Sequence, residues 1–371
     1  MPGKPTIQDI ARLAGVSKTT ISRVLNNKPD VDPATRERIL LIIDEQSFIP
    51  SIPAAGLASG RRQLIGMLIP SFTWPLIPEL MRGVAEVLEQ TSYELVLYSI
   101  NDTDLRRDRS EVINRVLATQ LTAGLLAVFP GPASQDLTRL YHQGFPVVIV
   151  DDQLEQTTPW VGVDNTTGAY TVVRHLVQLG HRRIAHIAGP HEYLASHDRY
   201  NGYCQALQEA GIPLDSELVL EGNFLPPTGR ACASKFFQLP PEKRPTAIFA
   251  ATDEMAYGVL AAAEEYGVAI PQDIALVGFD DDAPSVHVRP PLTTVRQPYY
   301  EMGAQGLKLL LSMLDSPGGH IPSTKSTSGR GMHPGEDKPV RIQLTTSLVV
   351  RASCGADYRI SISATPGNDV L

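Results

Sequence analysis

Residues 6–26 constrain this 371-residue chain more than any other stretch, because they have the pattern of two short helices joined by a tight turn. Apolar side chains recur there at helical spacing. Gly15 stands where a left-handed residue can end the first helix. Thr6 and Ser17 stand where a side chain can cap the first and the second helix. The spacing therefore predicts a helix-turn-helix.

The second of these helices carries polar side chains on its outward face. Lysine and arginine suit guanine edges and phosphates, while serine, threonine and asparagine suit phosphates or bases of either kind. The same pattern fits the solvated face of a helical hairpin, but caps, turn glycine and polar face occur together here. We therefore expect the helix to enter the major groove of double-stranded DNA. The candidate DNA-binding residues of this motif are Thr6, Ser17, Lys18, Thr19, Thr20, Ser22, Arg23 and Asn26.

The motif resembles the start of a known family. Thr-Ile-Gln-Asp-Ile-Ala at residues 6–11, Ala-Gly-Val-Ser at 14–17 and Thr-Ile-Ser-Arg-Val-Leu-Asn at 20–26 are similar to lactose-repressor (LacI/GalR) transcription regulators. The resemblance continues to about residue 355. It implies an α/β fold, with a three-helix head and a two-subdomain, periplasmic-binding-protein-like core of parallel sheets. A homodimer is also implied, because one small head contacts only half of a near-palindromic operator.

Charge is divided unevenly along the chain, whose formal net charge is −8. Residues 1–62 hold nine Lys or Arg and six Asp or Glu, and the remainder holds 23 and 34. A basic head on an acidic core concentrates the attraction to DNA at the head. No apolar run reaches the roughly 18–20 residues of a membrane span. Because the N-terminus also lacks an apolar signal-peptide core, we expect a cytoplasmic protein without a membrane partner.

A third helix is expected to complete the head. Asp32 can cap it, and Pro33 suits its first position. The helix is expected to run to about Gln46. The apolar residues available to close a three-helix core are Ile39, Leu40, Ile42 and Ile43.

The segment after the head has two interpretations. By composition, residues 51–59 form a flexible Ala/Pro/Gly linker. The resemblance instead implies a hinge helix that folds on DNA and inserts Leu57 into the minor groove. Gly56 weakens such a helix by about 1 kcal/mol relative to alanine. Leu57 is therefore a candidate DNA-binding residue on the family resemblance alone.

From Leu64 onward, short apolar segments alternate with amphipathic helices, which indicates parallel sheets covered on both faces. Roughly 290 residues are too many for one doubly wound sheet, so two subdomains are expected. The predicted strands are 64–69, 95–99, 124–128, 147–150, 184–187, 247–250 and 275–278, with one closing strand at 341–351. The predicted helices are 75–90, 107–118, 134–143, 166–179, 197–210, 229–238, 254–266 and 299–314.

These signals divide the chain into four parts, with a Pro/Gly/Ser-rich stretch at 316–339 that predicts a flexible loop. The parts are a head at 1–50, a hinge at 51–62, a core at 63–358 and a tail at 359–371. The expected N-subdomain is about 63–162 and 291–316, and the C-subdomain about 163–290 and 340–358. Crossings between them are expected near 160–164, near 290–294 and after about 316.

Polar and aromatic side chains follow several predicted strands at their carboxyl ends, where open parallel α/β sheets bind ligands. Guanidinium and carboxylate groups suit sugar hydroxyls, and aromatic rings stack on the apolar face of a sugar. Each residue alone could be a loop cap or a surface charge. The resemblance matches several of them to family pocket positions, while Thr252 departs from the frequent asparagine. The candidate effector-binding residues are Ser71, Phe72, Trp74, Asp151, Arg199, Asp253 and Asp280.

Other chemistries have weaker signals. The sequence contains no nucleophile elbow, Walker loop or dinucleotide fingerprint, so we expect neither catalytic residues nor a cofactor. The three cysteines and the four histidines between residues 181 and 197 lack metal-ligand spacing. Three hypotheses are kept: a DNA-binding repressor controlled by a small molecule such as a sugar, a periplasmic-type solute receptor, and a sugar-processing enzyme. The helix-turn-helix favours the first.

Overall fold

The computed structural model describes residues 5–25, 28–46, 48, 64–100, 113, 121–151, 157–315 and 339–356. The chain divides into two compact units, one of Met1–Leu64 with Thr119–Ala123 and one of Ile65–Ala118 with Gly124–Leu371. Several predictions fall outside the described residues: Asn26, the hinge with Leu57, most of the helix at 107–118, nearly all of the loop at 316–339, and the tail.

The first unit contains three helices with the predicted caps. They are α1 (Ile7–Ala14), α2 (Lys18–Leu25) and α3 (Pro33–Glu45). Thr6 and Asp9 form a reciprocal capping box on α1, and Gly15 ends that helix at a φ of 63°. Ser17 and Asp32 each accept a hydrogen bond from the amide three residues further on, at 3.1 and 3.0 Å. Local side-chain chemistry therefore sets both sides of the turn between α1 and α2.

A small apolar core joins the three helices. Ile10, Ile21 and Ile39 are completely buried in it, and Ile42 and Ile43 pack against it half-buried. The prediction that Leu40 helps to close this core is wrong, because its side chain is 49% exposed. Successive residues of a helix point about 100° apart, so the burial of Ile39 turns its neighbour towards solvent.

The second unit contains two large sheets and one small one. Its strands are β1 (Leu64–Ile69), β2 (Glu94–Ser99), β3 (Thr122–Val128), β4 (Val147–Val150), β5 (Trp160–Val163), β6 (Ile184–Ala188), β7 (Val219–Glu221), β8 (Ala247–Ala250), β9 (Ala275–Val277), β10 (Thr294–Arg296), β11 (Arg341–Leu344) and β12 (Ser347–Val349). The first sheet has the order β11-β5-β4-β3-β1-β2, and the second has the order β7-β6-β8-β9. Strands β3, β4, β5 and β11 run parallel, as do all four strands of the second sheet. Strands β10 and β12 form a separate antiparallel pair.

Helices pack against both large sheets. They are α4 (Leu76–Leu88), α5 (Ser134–His142), α6 (Asn165–Gln178), α7 (Leu194–Glu209), α8 (Pro226–Phe237), α9 (Asp253–Tyr266) and α10 (Tyr299–Asp315). Helices α4 and α10 share one apolar core with the first sheet. The second sheet has α6 and α7 on one face and α8 and α9 on the other. We call the first sheet with α4, α5 and α10 the first subdomain, and the second sheet with α6 to α9 the second subdomain.

The structure corrects the predicted closing strand. Residues 341–351 contain two strands, since β11 pairs with β5 in the first sheet while β12 pairs with β10. The third crossing therefore lies between Leu344 and Ser347 rather than soon after residue 316. Residues 341–344 accordingly belong to the first sheet and not to the predicted C-subdomain. One continuous apolar alternation cannot reveal a change of sheet, because both strands have the same period.

The sequence also misses β5, β7 and β10. Each has only three or four residues and includes a glycine or a charged residue, so none forms the continuous apolar run that marks the equally short β4, β8 and β9. Among the helices that the structure describes, none combines the length and apolarity needed to cross a membrane.

Glycines allow α4 and α10 to pack backbone against backbone. A Cβ atom on Gly303 would collide with the carbonyl oxygen of Leu80, and one on Gly83 would collide with the carbonyl oxygen of Tyr300. The second subdomain uses the same device between α8 and α9, where Gly229 faces the backbone of Met255. These helix pairs therefore have no space for even one added methyl group.

We expect Gly303→Ala to lower the free energy of unfolding by about 1–3 kcal/mol, the usual cost of overpacking. Chemical denaturation of the full chain measures this loss. Lys308→Ala, at an exposed position of the same helix, is the matched control. Equal stability of the two variants would contradict the close helix contact.

Candidate effector and DNA-binding sites

Three of the predicted effector residues belong to one polar network at the carboxyl ends of the sheets. Asp151 follows β4 in the first subdomain, Asp280 follows β9 in the second, and Arg199 lies on α7. Asn165, at the start of α6, donates from Nδ2 to Asp151 Oδ1 at 3.3 Å. Its Oδ1 accepts from Arg199 Nε at 2.9 Å. The network therefore connects the two subdomains.

The guanidinium of Arg199 is buried, with 3% of the side chain exposed. Its Nη1 donates to the carbonyl oxygen of Ala251 at 2.5 Å and lies 3.7 Å from Asp280 Oδ1. The guanidinium carbon stands 3.9 Å from the centre of the Phe279 ring. Burying a charge is costly unless it is paired and hydrogen-bonded. These contacts meet that cost and fix the guanidinium in one orientation.

Asp280 lies opposite Arg199 in a strained backbone conformation, with a φ of 128°. Its Oδ1 accepts hydrogen bonds from Gln297 Nε2 at 2.7 Å and from the Tyr299 hydroxyl at 2.9 Å. Burial raises the pKa of Asp280, and the charge of Arg199 lowers it. The sequence does not point to Gln297 or Tyr299, because both follow β10, a short strand without an apolar run.

Two buried polar atoms of this region have no hydrogen-bond partner among the residues that the structure describes. They are Ser196 Oγ, one turn before Arg199 on α7, and Gln297 Oε1. An unsatisfied buried polar group costs about 1–3 kcal/mol. A hydroxyl-bearing ligand could supply the missing partners.

Aromatic rings from both subdomains meet close to Ser196. The ring of Trp74, after β1, is 6.3 Å from Phe129 and 6.3 Å from Phe224, and Tyr193 is 5.4 Å from Phe224. A Cβ atom on the glycine at position 189 would collide with both Phe224 and Ser196 Oγ. Of these four rings, only Trp74 is predicted from the sequence. Their shared signal is an aromatic residue a few positions after a strand.

Two other candidates lie apart from this network. Ser71 Oγ is 3.0 Å from Thr73 Oγ1 and accepts from the Thr73 amide at 3.3 Å, so it stabilises its own turn. The Phe72 side chain is 59% exposed and is not among the rings that meet there. Their predicted roles as effector ligands stay predictions.

Asp253 is completely enclosed behind the network. Its carboxylate accepts from the Asp282 amide at 3.0 Å and from the Ser285 and Thr294 hydroxyls at 2.6 Å each. Burial and the charge of Asp280 raise the pKa of Asp253 to about 7. These bonds tie the start of α9 to β10, which favours a positioning role over direct contact with a ligand.

A cluster of possible metal ligands lies on the surface. Ligand atoms of His191, Glu192 and Glu221 come within 4.8 Å of one another, with His191 and Glu221 exposed and Glu192 half-buried. Sequence spacing does not predict this cluster, because Glu221 joins it from the neighbouring strand β7. The three cysteines are free thiols.

The outward face of α2 presents the predicted DNA readers. Lys18 and Thr19 are exposed at its first turn. Arg23 is exposed one turn later and lies 3.2 Å from Asp30. Ser22 is half-buried beside it. The end of α2 nearest the turn therefore carries its most accessible polar groups.

The other candidates of the head take part in capping. Thr6 Oγ1 donates to Asp9 Oδ2 at 2.7 Å, and Ser17 Oγ lies 2.9 Å from Thr20 Oγ1. Contacts of Thr6, Ser17 and Thr20 with DNA stay predictions.

Comparison with known proteins identifies the family. A model of bacterial regulatory proteins of the lacI family matches residues 6–51, and a periplasmic binding protein-like domain matches residues 173–354. The chain is 33% identical over 314 residues to catabolite control protein A of Priestia megaterium. The aligned region covers 84% of this chain and 92% of that protein. The chain belongs to the lacI family. This lacI-family chain is a DNA-binding transcriptional regulator, and its relatives are regulators rather than enzymes.

Solved structures confirm the expected fold. The lac repressor dimer bound to operator and the anti-inducer ONPF is similar with a TM-score of 0.79 and 25% identity, over 95% of this chain and 99% of that one. The complex of the transcriptional regulator CelR with cellobiose is similar with a TM-score of 0.66 and 30% identity, over 94% of this chain and 99% of that one. The lacI-family chain thus has the predicted helix-turn-helix head and parallel-sheet core.

The raised pKa of Asp253 generates a pH-dependent prediction. A carboxyl whose pKa is 3.8 when unfolded and about 7 when folded stabilises the fold fully at low pH, and this contribution is lost as the pH rises from about 4 to 7. Asp253→Asn cannot titrate. Its loss of stability relative to the parent should therefore be largest at about pH 4 and below, and should shrink as the pH rises to about 7, by at most about 1.4 kcal/mol per pH unit.

Denaturation at several pH values measures this difference, with Glu242→Gln at an exposed position as the control. A stability difference that stays constant with pH would show that Asp253 is ionised in the folded protein.

Proposed function

We propose that this lacI-family regulator represses transcription as a cytoplasmic homodimer on a near-palindromic operator, and that a small neutral saccharide between its two subdomains controls operator affinity. The buried Arg199–Asp280 pair, with unsatisfied polar atoms beside it, is the observation that carries the proposal. Similar proteins of known structure are bound to operator or to cellobiose, which supports both parts.

The chemistry of the network fits a neutral polyhydroxylated ligand. The fixed guanidinium edge of Arg199 donates, and the carboxylates of Asp151 and Asp280 accept, which is the set that sugar hydroxyls need. The unsatisfied Oγ of Ser196 and Oε1 of Gln297 add two further partners. Two carboxylates against one guanidinium disfavour an anionic ligand.

The aromatic cluster adds an apolar surface for the ligand. Trp74 and Phe129 come from the first subdomain and Phe224 and Tyr193 from the second, so a sugar ring stacked there would contact both. A ligand that contacts both subdomains favours one relative orientation of the two. Ligand and operator affinities are then coupled reciprocally, by about 1–3 kcal/mol.

The homodimer is proposed from the geometry of the operator. One helix-turn-helix head contacts only half of a near-palindromic site, and two heads related by a two-fold axis contact both halves.

The alternative functions lack a supporting observation in the described residues. A solute receptor has no use for the exposed Lys18 and Thr19 of a capped helix-turn-helix. A sugar-processing enzyme needs a carboxylate or nucleophile free to react, whereas Asp280 is held by Gln297, Tyr299 and Arg199. Turnover of a bound saccharide would establish the enzyme.

We expect Lys18→Gln combined with Thr19→Asn to change which operator sequence is preferred, because these residues lie at the exposed start of α2. Selection from randomised half-sites measures the preference, and each lost bidentate base contact should cost about 1–3 kcal/mol. Arg12→Gln, exposed on α1, is the control. Uniformly weaker binding to all sequences would show that Lys18 and Thr19 contact phosphates instead.

We expect Arg199→Lys and Arg199→Ala to lower the free energy of unfolding, because Asp280 loses its guanidinium partner. The folded variants should still bind operator but lose the response to saccharide, because the guanidinium fork contacts ligand and not DNA. A thermal-shift screen of saccharides on the full chain first selects a ligand. Operator affinity is then measured by fluorescence anisotropy, with and without saturating saccharide. Arg230→Ala removes an exposed arginine of the same subdomain and is the control. A full response in both Arg199 variants would exclude Arg199 from the site.

A further inference from the structure

Asp281, the neighbour of Asp280, belongs to a second charged cluster. Its Oδ2 accepts from Arg296 Nε at 2.6 Å, and its Oδ1 accepts from Arg351 Nη2 at 2.5 Å. Only 6% of the Asp281 side chain is exposed. Two charge-assisted hydrogen bonds to one buried carboxylate are strong and directional. Asp281 therefore holds two arginines that are far apart in sequence.

These arginines mark two of the three crossings between subdomains. Arg296 ends β10, the second crossing, and Arg351 follows β12, just after the third. The Nη1 of Arg351 also donates to the Leu292 carbonyl oxygen at 2.7 Å, and its amide donates to Thr293 Oγ1 at 2.8 Å. One carboxylate thus joins the tip of the second sheet to both antiparallel crossing strands.

The backbone prevents Asp280 and Asp281 from moving independently. Both residues have positive φ values, 128° and 62°, which non-glycine residues adopt only when their surroundings hold them. The Asp280 amide donates to the Val295 carbonyl oxygen at 2.8 Å, and the Gln297 amide donates to the Asp280 carbonyl oxygen at 3.2 Å. One carboxylate of this pair faces Arg199, and the next faces the crossing strands.

We propose that Asp281 is the positioning residue that couples ligand capture at Arg199 and Asp280 to the crossing strands. This inference rests on the proposed function of the site. A ligand that shifts Asp280 shifts Asp281 with it, and the two ion pairs pass that shift to β10 and β12. Because these strands connect the subdomains, their movement changes the relative orientation on which operator affinity depends. Without the ion pairs the ligand still binds, but the relative orientation of the two subdomains no longer responds to it.

The test uses the full chain with the variants Asp281→Asn and Arg296→Gln. Arg296 is largely exposed, so its replacement removes one ion pair with little risk to folding. Arg230→Gln breaks an exposed pair of similar length, 2.7 Å to Glu265, in the same subdomain and is the control. Cellobiose is the probe, with its affinity measured by calorimetry and operator affinity measured with and without it.

Both variants should bind cellobiose with the parent's affinity. The cellobiose-induced change in operator affinity, about 5–150-fold in coupled systems, should fall towards unity in both variants and stay intact in the control. A residue that only stabilises the fold would lower the melting temperature and leave this change intact. Full retention of the response would overturn the proposal, as would a loss of cellobiose affinity that accounts for the whole effect.

Hydrogen exchange separates this inference from the proposed function. The Gln297 and Arg351 amides should exchange faster in both variants than in Arg230→Gln, with no ligand present. The ion pairs stabilise the hydrogen bonds that these two amides donate. If the parent fails to respond to cellobiose, that ligand assignment is wrong. Unchanged exchange at both amides would in that case overturn the role of Asp281, and faster exchange would support it.

Discussion

The arrangement of the core depends on how the buried charge of Arg199 is compensated. Its guanidinium is satisfied by the Asn165 side chain, the Ala251 carbonyl oxygen, the Phe279 ring and the Asp280 carboxylate. These partners come from three different elements: α6, the end of β8, and the loop after β9. Loss of any partner would leave a buried charge under-compensated, at a cost of several kcal/mol. One side chain therefore aligns the carboxyl ends of the second sheet and, through Asn165 and Asp151, the edge of the first.

Three neighbouring carboxylates have different roles because their surroundings differ. Burial and the charge of Asp280 raise the pKa of Asp253 to about 7, although the neutral donors that enclose its carboxylate lower it. Asp280 shares its surroundings with a guanidinium and two side-chain donors. Asp281 is held between Arg296 and Arg351. The sequence shows only Asp253 after one strand and three consecutive aspartates after another. The burial and the neighbouring charges of each carboxylate set its pKa and its hydrogen-bond partners.

The parts of this structure that are local in sequence could be predicted from it. Thr6, Gly15 and Asp32 act within their own helices, and the longer strands show their period directly. The site is different, because Phe224 follows β7 and Gln297 follows β10. Each of these three-residue strands takes its place only by pairing with another strand, β7 with β6 and β10 with β12. The same limit explains the third crossing, where the change of sheet occurs within one apolar stretch. Leu40 shows that even a short helix needs tertiary contacts to decide which apolar side chains it buries.

The proposed DNA-reading residues and the proposed ligand contacts come from different parts of the chain. The proposed DNA readers lie in one turn of α2, whereas the proposed ligand contacts come from segments spread from Trp74 to Gln297. Single replacements at the edge of the network can therefore alter ligand preference without touching the head. Thr252 is an example, since its hydroxyl caps α9 by accepting from the Met255 amide at 3.2 Å. An asparagine there could cap equally well and add an amide donor. Threonine keeps the helix start with a hydroxyl that can still donate one proton, whereas an asparagine amide would offer two.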